Sequence, residues 1–358
     1  MEYKAMKYPT LQINGTKLKE NINTIQKLCD DYPISFAAVT KGFCAIPEVV
    51  DIYYNEGVRD FADTRIPNLK KIKYHDVNRW LLRLPMLSEI DDVVRFTDIS
   101  LNSEVKTVAA LSEASLKLKK RHKVILMIDV GDLREGVMLE NAIYTAGEMI
   151  KHKGIELYGI GVNFNCFGGV IPNVDNVTQV VKARQNIEKT YGIKIPIISG
   201  GNSGSMHLLT TKTMPKEVNW LRLGEVVFIG RETSYQELIP GMHEDIFRLD
   251  VQIIELQKKP SVPIGEVGLN AFGEKVTFED KGDMLRAIVA CGRQDVYYDK
   301  ITPIDPKIEV LGQSSDHMII NVTHSNKKYE VGDIISFNVS YGSILSLTTS
   351  EYINKFVI

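Results

Sequence analysis

Leu157-Tyr-Gly-Ile-Gly-Val-Asn163, a stripe of Val177, Val180, Val181 and Ile187, and then Ile195-Pro-Ile-Ile-Ser199 together decide the fold. Two short apolar runs flank an amphipathic segment that opens after Asn173 and Asp175. That is a strand–helix–strand unit, and a helical crossover makes its two strands parallel. The same alternation extends in both directions, over residues 34–235. Further apolar runs lie at Ser35–Thr40, Arg59–Asp63, Trp80–Leu84, Asp98–Asn102, Val124–Val130 and Trp220–Gly224. Leu18, Ile22, Ile25 and Leu28 form a helical face before the first of these. Ser103 reads as the N-cap of a helix carrying Val105, Val108, Ala109, Leu111 and Leu116. Eight such units predict an α/β fold, a (β/α)8 barrel over residues 8–240, with a six-stranded open sheet as the alternative.

After residue 240 the pattern changes. Asp250–Leu256, Met284–Ala290, Ile308–Leu311, Met318–Val322 and Ile334–Val339 read as strands with no long helical stripe between them. Asn326, Gly332–Asp333 and Tyr341–Gly342 read as turns. A smaller all-β domain over residues 241–358 follows, with residues 1–7 available to join it. The whole chain has 358 residues, enough for these two domains. The 25% charged and 44% hydrophobic composition is that of a globular protein. With 43 Lys+Arg against 45 Asp+Glu there is no electrostatic case for nucleic acid. No apolar run approaches the ~18 residues of a membrane span. The first dozen residues lack the apolar core of a signal peptide, so a cytoplasmic protein is expected. Cys29, Cys44, Cys166 and Cys291 show no C-x-x-C pair, which predicts reduced thiols and neither a zinc site nor a disulfide framework.

A parallel barrel keeps its active site at the carboxyl ends of its strands. The residues there are Thr40-Lys41-Gly42, Asp63-Thr-Arg65, Arg83, Asn102-Ser103, Asp129-Val-Gly-Asp-Leu-Arg134-Glu-Gly136, Asn163-Phe-Asn165, Ser199-Gly-Gly-Asn202-Ser203-Gly204 and Arg222-Leu-Gly224-Glu225. The glycine-rich loop Ser199–Gly204 lets backbone N–H groups converge, and Ser203 adds a hydroxyl. After the seventh strand that is an anion nest suited to phosphate, the plainer alternative being a tight turn without a ligand. Lys41 at the barrel mouth is a candidate for an imine with a carbonyl, although most lysines are solvated charges. A lysine and a phosphate cradle together are what pyridoxal phosphate requires. Arg134 and Arg222 face the same mouth and need anionic or acceptor partners. Glu135, Asp129 and Glu225 are the candidates for simple ion pairs.

Lys41, Asp129-x-Gly-x-x-Arg134-x-Gly136, the Ser199–Ser203 loop and Arg222-x-Gly224, in that order, resemble the fold-type III pyridoxal-phosphate amino-acid racemases of the alanine racemase superfamily. Phe61-Ala-Asp-Thr-Arg-Ile-Pro-Asn-Leu-Lys-Lys71, Val170-Ile-Pro172, Gly230-Arg-Glu-Thr233, Pro263-Ile-Gly-Glu266, Ser314-Ser-Asp-His317 and Thr349-Ser-Glu-Tyr352 make the chain most similar to the ornithine racemase branch. The resemblance implies a racemase acting on ornithine or a related basic amino acid, with pyridoxal 5'-phosphate as cofactor, in a head-to-tail homodimer with shared active sites. Lys41 matches the lysine that holds the cofactor and acts as a base. Arg134 matches the arginine on the phenolate oxygen, and Arg222 the arginine facing the pyridine nitrogen. Ser203, Gly224 and Glu225 match the phosphate cradle, and Ser199, Gly201 and Asn202 belong to the same cofactor-binding loop. Asn163 falls where alanine racemases carry a histidine against the ring. Ser315 and Asp316 fall in the β-domain segment that reaches the substrate carboxylate of the neighbouring subunit.

Two departures stand out. Ile264 falls where alanine racemases carry the tyrosine that serves as the opposite-face base, and Thr348 or Thr349 falls where a phosphate-binding tyrosine is expected. Glu266, Cys291, His317 and Tyr341 are the other candidates for a second base. Glu266 or Asp63 is the candidate carboxylate for a substrate ammonium. Arginine, lysine and broad-specificity racemases share much of this pattern, so an alanine or broad-specificity racemase stays open, and the missing tyrosine keeps open an aldolase, dehydratase or decarboxylase on the same fold. A cofactor carrier is the non-enzymatic alternative, against which the β domain argues. Zinc-assisted relatives need a late His/Cys pair, and Cys291, His317 and His324 show no tight ligand spacing.

Overall fold

A computed structural model describes residues 6–358. Of the segment 1–7 expected to join the β domain, residues 1–5 lie outside the described residues, as does the very start of the stretch read as leader-free. The described chain forms two compact units. One runs from Gly15 to Glu244; the other combines the described residues up to Asn14 with Asp245–Ile358.

In sequence order the strands begin with β1 (Thr10–Ile13), which belongs to the second unit. The first unit contains β2 (Ser35–Val39), β3 (Asp60–Asp63), β4 (Asn78–Leu81), β5 (Ile99–Asn102), β6 (His122–Asp129), a two-residue β7 (Val137–Met138), β8 (Ile155–Gly161), β9 (Ile197–Ser199) and β10 (Trp220–Leu223). Apart from β7, these are the eight strands read from the sequence. Each pairs in parallel with its neighbours, and β10 returns to β2 with Leu223 opposite Ala38, so the barrel closes. The open-sheet alternative is therefore excluded.

The inside of the ring is filled with side chains. Ala37 and Val39, Ala62, Trp80, Ile99 and Leu101, Ile125 and Met127, and Ile197 form one buried cluster, against which Trp220 packs. The Trp80 and Trp220 rings stack with centroids 5.1 Å apart. Gly159 and Gly161 on β8 make room for the side chains of Ile125 and Met127 on β6. A Cβ at Gly159 would lie 2.7 Å from Ile125 Cδ1, and one at Gly161 3.2 Å from Met127 Sδ. Strands alternate their faces, so the inward series 37–39, 125–127, 159–161, 197 and 220 have as their next members Lys41, Asp129, Asn163, Ser199 and Arg222. The residues named from strand ends are thus the ones that the packing register carries to the mouth.

The helix Val174–Tyr191 buries Val177, Val180, Val181 and Ile187. Asn173 and Asn176 cap it reciprocally, and Gly192 ends it in the left-handed conformation. The helix Val105–Lys117 begins one residue later than expected: Glu104 occupies its N-cap, and Ser103 does not cap it.

The second unit is an eight-stranded sheet built on β11 (Phe247–Pro260). Its other strands are β12 (Asp283–Val289), β13 (Ile301–Pro303), β14 (Glu309–Gln313), β15 (Met318–Asn321), β16 (Ile334–Val339) and β17 (Asn354–Val357), together with β1. All pairings are antiparallel except that of β17 with β1. Gln12 Nε2 donates to the buried carboxylate of Asp250 at 2.7 Å, and Ser336 Oγ does so at 2.6 Å. Residues 8–14 thus pair with this sheet. Tyr341–Gly342, read as a turn, instead opens a helix, Tyr341–Thr349, whose N-cap Ser340 accepts from Ser343 N. No helix among the described residues is long and apolar enough to cross a membrane.

His122 stands at the start of β6, buried, with Nε2 2.9 Å from Ser100 Oγ on β5. Burial, with a smaller push from Lys120, lowers its pKa to about 4. The folded state therefore favours the neutral ring. Between the ordinary histidine value and about 4 the unfolded chain binds the extra proton, so stability falls as pH falls through that window. The expected loss from this group between about pH 7 and pH 4.5 is about 2 kcal/mol. Urea unfolding at the two pH values measures it, and His122→Gln should flatten the difference.

Candidate active site at the barrel mouth

Strand β2 ends at Val39, and the chain then makes one tight turn over Thr40–Phe43. Cys44 and Ala45 continue it in the left-handed region, and their N–H groups return to Lys41 O and Thr40 O. Thr40 Oγ1 donates to Asp63 Oδ2 at 2.6 Å. Asp63, fully buried at the end of β3, also accepts from Arg65 N at 2.8 Å and from Asn68 Nδ2. Burial raises its pKa, a rise these hydrogen bonds only partly offset. Its lone pairs are committed to holding the turn that presents Lys41, so Asp63 is not a receptor for a substrate ammonium. On the other flank, Gly224 follows β10 so closely that a Cβ would lie 2.9 Å from Val39 Cβ. Glu225 comes next. Burial pushes its pKa up to about 7, against the pull of the Lys41 ammonium.

Arg222 is buried within the mouth. Its Nε donates to Ser199 Oγ at 3.2 Å, and its Nη2 donates to Val162 O and to Asn163 Oδ1, the latter at 3.0 Å. Asn163 Nδ2 in turn donates to Glu135 Oε1. Arg134 closes the chain: its Nε reaches Glu135 Oε2, and its Nη2 reaches Oε1 at 2.6 Å. Desolvation lowers the Arg222 pKa to about 10 although Glu135 supports the charge. At neutral pH the guanidinium keeps its proton. Of the ion pairs weighed from the sequence, Arg134–Glu135 forms; the polar partners of Arg222 are Ser199, Val162 and Asn163.

The Ser199–Gly204 loop is held by its own residues. Asn202 Oδ1 accepts from Gly204 N at 3.0 Å, and Asn202 Nδ2 donates to Phe164 O at 2.7 Å. Gly201 has φ +117°, and a Cβ there would sit 2.4 Å from Ser205 Oγ, so only glycine fits. Ser203 Oγ, buried, accepts from Val226 N at 3.2 Å and faces Gly224 N at 3.5 Å. The loops after the seventh and eighth barrel strands therefore converge on one hydroxyl and the amides that follow β10.

Two acidic residues that the sequence reading did not assign shape the rim. Asp132, buried, accepts from the N–H groups of Cys166, Phe167 and Val170, fixing the loop beyond Asn163. Glu232, also buried, does the same for Ser234, Tyr235 and Glu237. Their only sequence signal is a carboxylate among turn residues, which many surface loops share.

The remaining sequence candidates lie in the β unit. Ile264 is 92% exposed, and Glu266 is exposed beside it. Ser315 and Asp316 are exposed, with Ser315 Oγ donating to Asp316 Oδ2 at 2.7 Å. Gly292 packs against that turn, where a Cβ would meet Ser315 O at 2.2 Å. Cys291 is buried, and its thiol is pushed up to about 12 by burial and by Asp295.

Comparison with known proteins gives a consistent answer. Residues 13–232 match the family profile for the N-terminal domain of alanine racemase. The chain is 46% identical to the ornithine racemase of Acetoanaerobium sticklandii over 97% of its own length and 99% of the relative's. It is 35% identical to the lysine racemase of Thermotoga maritima, covering 98% of each chain. Its fold superposes on the alanine racemase of Bartonella henselae, solved with covalently bound pyridoxal phosphate, with a TM-score of 0.74 at 17% identity, over 99% of this chain and 100% of that one.

Arg222→Met would strip three acceptors of their donor while keeping the apolar volume. Val162 O and Asn163 Oδ1 are left short inside the protein, and the expected loss is about 3 kcal/mol. Ser199→Ala, which removes only one weak acceptor, should cost about 1 kcal/mol or less. Urea denaturation of the two variants tests the ranking, and equal stabilities would contradict it.

Proposed function

This chain belongs to the alanine racemase family and is an amino-acid racemase; from that premise we propose that its substrate is ornithine or a closely related basic amino acid. The identity shared with the Acetoanaerobium sticklandii ornithine racemase supports ornithine. The reading includes pyridoxal 5'-phosphate as cofactor and a head-to-tail homodimer as the active form. The reading also includes a cytoplasmic location.

The observation that carries the cofactor reading is the pairing of a half-buried amine, Lys41, with a ready anion cradle in the same barrel mouth. The donor set fits. A phosphate would take the Ser203 hydroxyl and the N–H groups of Gly224 and Glu225, where glycine is required by the contact with Val39. Lys41 would hold the aldehyde carbon, Arg134 the phenolate oxygen, and Arg222 would face the ring nitrogen, with Asn163 against the ring. When bound, pyridoxal phosphate makes the Cα–H of an amino acid acidic by conjugating the resulting carbanion with its ring.

The protein's part is proton handling and charge placement. Lys41 Nζ takes or returns the Cα proton on one face. Arg222 remains a fixed positive charge because its pKa, even when buried, stays about 10. It therefore disfavours protonation of the ring nitrogen, weakens the electron sink, and favours return of the proton to Cα over transamination. On the other face, Ile264 has no acidic or basic group. His317, Tyr341 and Glu266 are the candidates for a second base, whereas burial keeps the Cys291 thiol protonated at neutral pH. In this reading Ser315 and Asp316 meet the substrate carboxylate of the neighbouring subunit, and Glu266 is the candidate for the distal ammonium.

Lys41→Ala should lose the visible absorbance of the bound cofactor and all racemisation of ornithine. Retention of both would sink the assignment of Lys41. Chiral analysis after incubation with L-ornithine, L-lysine, L-arginine, L-alanine and L-serine tests the substrate, with ornithine expected to be inverted fastest. Faster inversion of alanine than of ornithine would replace the substrate assignment while leaving the reaction class intact.

A further inference from the structure

We propose that Glu135 is a positioning residue of this site: one carboxylate that orients Arg134 directly and Arg222 through Asn163, and supplies the counter-charge that both guanidiniums share. The proposal rests on the cofactor reading above. A surface salt bridge is the plainer interpretation, and two observations argue against it. The Glu135 side chain is 14% exposed, against 38% for Arg134. Its oxygens also serve a third group, since Asn163 Nδ2 shares Oε1 with Arg134 Nη2.

The order of donors and acceptors makes the carboxylate necessary. Arg222 only donates, so Asn163 must turn its oxygen toward Arg222. Asn163 then points its amide nitrogen the other way and needs an acceptor, which Glu135 Oε1 provides. Arg134 also only donates and occupies both Glu135 oxygens. A neutral amide at position 135 offers one acceptor oxygen and one donor nitrogen. Its oxygen, placed where Oε1 stands, could still accept from Asn163 and Arg134 Nη2, but its NH2 group would then face Arg134 Nε, and the negative charge would be gone. The charged groups around the two arginines are Glu135 and Asp132. Among these, Asp132 spends its oxygens on backbone N–H groups. Glu135 is therefore the carboxylate that balances the two arginines through side-chain hydrogen bonds.

Losing that negative charge leaves an extra positive field beside the phenolate oxygen and the lysine linkage of bound pyridoxal phosphate. Positive charge disfavours any neighbouring protonated cation. In Glu135→Gln the long-wavelength band of the bound cofactor should therefore titrate about one pH unit lower than in the wild type. The kcat for ornithine should fall about tenfold while KM changes less, because the contact is with the reacting assembly and not with the substrate side chain. Glu135→Asp, which keeps the charge, should bring the titration midpoint most of the way back. A purely structural role would lower the melting temperature and activity without moving that midpoint. An unmoved midpoint in Glu135→Gln, or an equal shift in Glu135→Asp, overturns the proposal. If Lys41→Ala still loses the band in that case, the cofactor reading stands without it. A wild-type protein supplied with pyridoxal phosphate that shows no such band overturns both.

Discussion

A filled barrel interior is the constraint from which the site follows. Trp80, Ile99, Leu101, Ile125 and Met127 occupy the space enclosed by the strands, with Ala37 and Ala62 and the two glycines of β8 giving them room. A buried polar group in that layer would find few partners and cost free energy. Polar inward residues therefore come at the next step of each strand, where the layer ends. Lys41, Asn163, Ser199 and Arg222 are those steps. Their proximity comes from strand pairing and alternation, so packing in the middle of the barrel and chemistry at its mouth share one register.

The mouth is then an exercise in charge balance. Two arginines in a partly desolvated space need acceptors, and the acceptors present are an amide oxygen, a carbonyl, a hydroxyl and the Glu135 carboxylate. On the opposite flank burial pushes the Glu225 pKa up to about 7 against the pull of the Lys41 ammonium. Asp63 is buried more completely and supports the turn through Thr40. Three carboxylates near one opening thus take three different duties, decided by what each one accepts and how much water reaches it.

The parts visible in the sequence were those encoded locally. Each barrel strand is an apolar run, so all eight could be found, and Lys41, Arg134 and Arg222 stood out as charges where such runs end. The strand Thr10–Ile13 was not visible. Its Gln12 looks like a solvent residue until Asp250, far along the chain, is placed beside it. The three-residue β13 is too short to show a period. The helix Tyr341–Thr349 is rich in Ser and Thr and buries only a few apolar residues, so its composition reads as turn. Glu135 was visible as a neighbour of Arg134. Its second duty depends on Asn163, which arrives from another strand end and is adjacent only after the barrel has closed.

The parallel pairing of Thr10–Ile13 with Asn354–Val357 bears on how the protein is made. The barrel unit is one continuous stretch, so a ribosome releases all of it before the later strands exist. The strand Thr10–Ile13, by contrast, must wait for β11, made after the barrel, and for β17, made later still. During that interval its edge is open to any passing β-chain. Synthesis therefore finishes the catalytic ring first and seals the sheet at the end.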